Sequence, residues 1–193
     1  KEFGTHEIDL ICGGPPCQGY SGIGHRRSYS VNKKQLPSNH LYQDMAYFIN
    51  KMNPKVFLFE NVQGLLNARW TTKGEKGEIF EDIKAVFRGL KQYNTKFSLV
   101  YAKDYGVPQN RPRVILIGMR KDICKIEIND SDAVSSGFLP TGDGGYPHIE
   151  EALGDLVDPD FEYGGETKEY PKKPNPKVSF QIEMRSDRND NLL

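Results

Sequence analysis

The chain has 193 residues, with 26 basic and 26 acidic side chains, four histidines and no formal net charge. That suits a globular chain with its own core; no apolar run approaches the roughly 20 residues of a membrane helix and no signal peptide is visible, so no membrane association is expected. Three cysteines (Cys12, Cys17, Cys124) form no Cys-x-x-Cys pair, which argues against a disulfide scaffold or a thiolate metal site and favours a reducing compartment, the cytoplasm ahead of a eukaryotic nucleus.

Ile8–Cys12 is a short apolar run stopped by Gly13-Gly14-Pro15-Pro16, the pattern of a buried strand ending in a stiff loop. Residues 19–40 lack periodicity and form a long loop that carries Arg26, Arg27, Lys33 and Lys34, with no acidic residue before Asp44. Leu41, Met45, Phe48, Ile49 and Met52 recur at helical spacing, and Asn53-Pro54 ends that helix. Val56–Phe59 reads as a second buried strand, and Ile79, Phe80, Ile83, Val86, Phe87 and Leu90 mark a second amphipathic helix. Phe97–Tyr101 and Val114–Gly118 complete an α/β unit, for which the alternation of strands and helices predicts a mostly parallel sheet. Residues 129–147 are rich in Ser, Asp, Gly and Pro and read as linker or surface loop; Ile149–Leu156 is a short helix; beyond Asp158 the chain is turn-rich with no helical face.

In open α/β sheets ligands bind beyond the carboxyl ends of the strands, so the residues after each apolar run are the ones to inspect. After the first, Cys17 follows two glycines and two prolines, a rigid platform on which a thiol of lowered pKa could act as nucleophile. Cys12, inside the strand, and Cys124 read as small buried hydrophobes. After the second comes Glu60-Asn61-Val62, which places a carboxylate at the edge of the core as a candidate proton donor. Gln109-Asn110-Arg111-Pro112-Arg113, just before the fourth strand, offers two guanidinium forks suited to phosphate, carboxylate or a base edge.

Together and in order, these segments resemble the DNA cytosine-5 methyltransferase family: its proline-cysteine motif (Gly14 to Gln18), its Glu-Asn-Val motif (Glu60 to Val62) and its Gln-x-Arg-x-Arg motif (Gln109, Arg111, Arg113). The resemblance runs from Asp9 to about Arg120, and more weakly through Ile149–Leu156; Ser179-Phe180-Gln181 with Met184-Arg185 resembles an early segment of the family's target-recognition region. It implies a partial Rossmann-like S-adenosylmethionine-dependent methyltransferase domain over residues 1–125, a linker and helix over 126–157, and the start of the target-recognition region over 158–193.

By the same resemblance Cys17 adds to C6 of the base, Glu60 holds N3, Arg113 holds the O2 edge, and Arg111 supports the site. Pro16 and Leu41 line the S-adenosylmethionine pocket, Gln18 and Ser21 contact DNA, and Arg26 and Arg27 meet its phosphates. The resemblance implies duplex DNA with a flipped cytosine as the partner, either in restriction-modification with a cognate restriction endonuclease or in epigenetic marking, and it calls for no metal. The neutral sum conceals a basic stretch from Arg26 to Lys34 and an acidic one from Glu150 to Glu169. The family's opening Phe-x-Gly-x-Gly turn and closing Gly-Asn segment do not occur in these 193 residues, so the chain reads as an internal piece that alone binds S-adenosylmethionine weakly and transfers no methyl group.

Three other readings stay open. The transfer-RNA branch of the superfamily usually has Gln-Pro-Phe-Thr after the cysteine, where this chain has Gln18-Gly19-Tyr20-Ser21. A non-catalytic DNA-binding relative would keep the fold. A cysteine hydrolase would need a base among His6, His25, His40 and His148, none of which a sequence signature pairs with Cys17.

Overall fold

A computed structural model describes residues 7–16, 36–124, 132–145, 147–157, 160, 163–165 and 173–186. One sheet holds β1 (Leu10–Gly13), β2 (Val56–Val62), β3 (Tyr93–Tyr101) and β4 (Pro112–Arg120), in the order β1-β2-β4-β3. β1 and β2 are parallel and joined through α1 (Leu41–Met52), while β4 runs antiparallel to both β2 and β3. The expected mostly parallel sheet is therefore corrected: β1–β2 is its one parallel pair among the described residues. The connection explains why. Residues 102–111 are too few for the crossover of about a dozen or more that a parallel neighbour requires, so the chain turns back on itself.

α1 ends where the sequence requires: Asn53 is left-handed at φ 47° and donates its backbone N–H to the Ile49 carbonyl at 2.9 Å, with Pro54 following. Its buried stripe is Tyr42, Ala46 and Ile49, with Met45 partly covered, whereas Phe48 of the expected face is 59% exposed. α2 (Glu78–Arg88) buries Ile79, Phe80, Ile83 and Phe87 as its spacing predicts. These helices meet Phe57 and Phe59 of β2 and Val114 and Leu116 of β4 in the main core. The Phe57 ring stacks on Phe87 with centroids 5.3 Å apart and meets Tyr93 edge-on at 5.1 Å. Gly118 lies against that ring, where a Cβ would come within 2.1 Å of it.

β1 departs from its reading as a buried strand: Leu10 is 54% exposed, and Cys12, expected inside, is exposed. Among the described residues β1 is the last strand of the sheet and is paired on one side, and its alternate side chains point to a face that those residues leave open. β2, β3 and β4 are longer than their apolar runs, so Glu60 and Arg113 lie within strands rather than beside them. Part of the segment read as linker is packed: the Ala133 N–H donates to the Phe97 carbonyl at 3.0 Å, and Ala133 and Phe138 are buried with Ile117.

The chain divides into two compact units, Lys1–Tyr101 with Pro112–Thr141, and Ala102–Arg111 with Gly142–Leu193. In the second, α3 (Ile149–Leu153) runs into a 3-10 turn at Gly154–Leu156, in the place the sequence predicts a helix. α4 (Ser179–Met184) forms where a turn-rich chain is expected. Its attachment is polar. Gln181 Nε2 donates to the Glu151 carbonyl, Gln181 Oε1 accepts the Asn175 N–H at 2.7 Å, and the Arg185 guanidinium meets the Asp155 carboxylate at 3.0 Å (Nε) and 3.2 Å (Nη2). An apolar periodicity cannot reveal a helix whose inward positions are Gln and Arg. Among the described residues no helix is long and apolar enough to cross a membrane.

The core also carries a titratable group. The Tyr93 hydroxyl donates to the Pro54 carbonyl at 2.6 Å, and burial pushes its pKa up to about 12 from 10. Its neutral form is favoured by folding, so this stabilisation is complete below pH 10 and disappears as pH rises through about 12. Urea midpoints are expected to fall across that window, and to fall less steeply in Tyr93→Phe; equal slopes in the two proteins would show that the phenol does not govern the alkaline limit.

Candidate active site at the carboxyl ends of β1 and β2

β1 and β2 are parallel, so their carboxyl ends lie together, and β4 enters the sheet at the same end. In the β2–β4 register Val62 lies opposite Arg113 and Glu60 opposite Ile115, which puts Glu60 and Arg113 diagonally on one face. Their side chains meet there, Arg113 Nε 2.5 Å from Glu60 Oε1. The Nε–H is not aligned as a hydrogen bond, so charge holds this contact, while Arg113 Nη1 donates to the Pro112 carbonyl at 2.9 Å. Glu60 is 38% exposed, so the carboxylate faces partly outward rather than being sealed in the core.

The second carboxylate oxygen fixes what can stand beside it. A Cβ at Gly14 would lie 3.0 Å from Glu60 Oε2, tighter than ordinary contact, so the bare backbone of the loop leaves this oxygen its place. On the opposite face of β2, Asn61 is 3% exposed. Its Nδ2 donates to the Pro15 carbonyl at 3.1 Å and its Oδ1 accepts the Val62 N–H at 3.0 Å. The two adjacent residues thus serve two faces: Glu60 presents an acid beside an arginine, and Asn61 ties the end of β1 to the end of β2.

Pro16 is exposed just beyond β1, and Leu41, the first residue of α1, is exposed as well. Arg111 is exposed and belongs to the second unit, where its N–H donates to the Gln109 carbonyl at 2.9 Å and its carbonyl accepts the Ala102 N–H at 3.1 Å. Gln109 and Asn110 line a cleft of about 420 Å³ within that unit, beside Lys103, His148 and Phe180. Cys17, Gln18, Ser21, Arg26 and Arg27 lie outside the described residues. The glycines before Cys17 read in the sequence as permitting close backbone approach, which Gly14 does beside Glu60, but Asn61 carried no role, although a polar residue in an apolar strand signals a buried group that must find a partner. Among the described residues no group of His, Cys, Asp and Glu could hold a metal ion.

The C-5 cytosine-specific DNA methylase family profile matches residues 1–187. The chain belongs to that family. It is 33% identical over 184 residues to the type II methyltransferase M.DdeI of Desulfomicrobium norvegicum, covering 95% of this chain and 40% of that protein. It is 29% identical over 192 residues to the type II methyltransferase M1.HphI of Haemophilus parahaemolyticus, covering 98% of this chain and 46% of that protein. Among solved structures, a Spodoptera frugiperda DNMT2 mutant is 21% identical with a TM-score of 0.45, covering 80% of this chain and 41% of that one. This C-5 methylase chain spans less than half the length of these relatives.

Proposed function

We propose that this chain carries the catalytic centre of an enzyme that transfers a methyl group from S-adenosylmethionine to C5 of cytosine in duplex DNA, within a restriction-modification system. The observation that carries this reading is the Glu60–Arg113 pair beside Gly14, at the sheet end from which the chain runs on through Pro15 and Pro16 to Cys17. Family membership and the type II relatives support it.

Cytosine C5 is a weak nucleophile, and the residues at hand can correct that. The Cys17 thiolate donates an electron pair to C6, and the displaced ring electrons collect toward N3 and O2. Glu60 holds a proton at N3, where the negative charge develops, and Arg113 holds Glu60 and the O2 edge. C5, now electron-rich, would take the methyl group as that group's bond to the sulfonium sulfur breaks, with S-adenosylhomocysteine as the leaving group. Loss of the C5 proton to solvent water re-forms the C5–C6 double bond and expels the Cys17 sulfur as thiolate, and the N3 proton returns to Glu60, which restores the enzyme.

Pro16 and Leu41 present exposed apolar surface beyond β1 and at the start of α1, which fits one flank of S-adenosylmethionine; when bound, that cofactor supplies an electrophilic methyl group. Arg111 supports the site's geometry. Gln18, Ser21, Arg26 and Arg27 hold the DNA, whose target base must leave the stack at a cost of a few kcal/mol. The test is methyl incorporation from labelled S-adenosylmethionine by the complete protein, into duplex DNA and transfer RNA in parallel. Incorporation into DNA alone is expected, and incorporation into RNA alone would overturn the substrate assignment.

A further inference from the structure

Pro15 and Pro16 have no backbone N–H, so this part of the loop offers only carbonyl oxygens by which the fold can grip it. One of them is gripped. The Pro15 carbonyl accepts from Asn61 Nδ2 at 3.1 Å, and Asn61 is buried on the core face of β2 with its other amide atom fixed by the Val62 N–H at 3.0 Å. Both ends of that amide are occupied, so its orientation is set and its donor can point one way only. The Pro15 peptide plane is thereby held, the Pro16 ring fixes the next φ, and one soft torsion, Pro16 ψ, separates the anchored plane from Cys17.

From this we infer that Asn61 is a positioning residue, setting the loop that bears the nucleophile from beneath the sheet while its neighbour Glu60 acts on the other face. The inference rests on the cytosine methyltransferase reading above. It explains the residue type: aspartate would match the shape and still accept from Val62, but would set a carboxylate oxygen against the Pro15 carbonyl with no proton between them.

The experiment is single-turnover formation of the covalent adduct by the complete protein on duplex DNA carrying 5-fluorocytosine, with S-adenosylmethionine present. Asn61→Asp is expected to slow adduct formation about a hundredfold, the scale of a misplacement of about 1 Å at a reacting group, with the DNA dissociation constant held within about threefold. Asn61→Ser, whose hydroxyl can donate, should recover about tenfold relative to Asn61→Ala, a rescue that mere loss of packing would not give. Thermal midpoints of all variants separate a slower site from a smaller folded fraction, and if Asn61→Asp fails to fold, the Ser and Ala pair decides. A folded Asn61→Asp at the parent rate, or Ser no better than Ala, would overturn the positioning role. A parent protein that forms no adduct would instead overturn the reading on which it rests.

Discussion

In the complete protein, Cys17→Ser is expected to abolish trapping on 5-fluorocytosine DNA, a loss of about ten-thousandfold or more, on the scale seen when the nucleophile of a covalent mechanism is removed. Fluorine at C5 leaves no proton to remove after methyl transfer, so an intact enzyme stops at the Cys17–C6 adduct. A serine hydroxyl is not ionised near neutral pH and should not add to C6. Glu60→Gln should behave differently. It keeps the size of the side chain but removes the charge that holds Arg113 at 2.5 Å, and the proton at N3. A loss of about a hundred- to a thousandfold is expected, as for removal of one preorganised group that meets developing charge, with DNA binding retained. Adduct formation by Cys17→Ser at the parent rate would exclude the mechanism, and Glu60→Gln at the parent rate would exclude the role of the acid.

Much of the scaffold around this site was legible in the sequence, and the failures have physical causes. α2 was readable because its inward positions are large and aliphatic or aromatic. In α1 the buried stripe uses Tyr42 and Ala46, which look weakly apolar, while the neighbouring stripe bears Leu41 and Phe48. Periodicity fixes the helix but not which of two adjacent stripes faces the sheet. The antiparallel β4 was in principle readable from the length of the β3–β4 connection, a constraint that a count of alternating elements overlooks. The exposure of Cys12 was not, because edge position depends on pairing rather than on the strand's own residues. Within the site, the three motifs supplied Glu60 and Arg113, but their contact follows from a register between strands about fifty residues apart.

The least legible feature is also where the second unit should prove most fragile. Asp155 and Arg185 lie 30 positions apart in acidic and polar surroundings that read as surface, yet their side chains are 2% and 8% exposed. Arg185 Nη2 donates to Asp155 Oδ1 while Nε faces Oδ2 as a charge contact, and Nη2 also reaches the Ala152 carbonyl at 3.4 Å, so one side chain ties α4 to the end of α3. Asp155→Ala leaves a buried guanidinium without its counter-charge, and a loss of about 3–5 kcal/mol is expected. Hydrogen exchange of the α3 and α4 amides would read it as the loss of protection in that unit, before the β2 and β4 amides open. The double variant Asp155→Leu with Arg185→Met should recover most of the stability, because buried pairs often gain little over well-packed apolar side chains. If the single variant left α3 and α4 protected, the pair would not be what holds them. If the double variant were as weak as the single one, the hydrogen bond to Ala152, rather than the charge pair, would be the contact that matters.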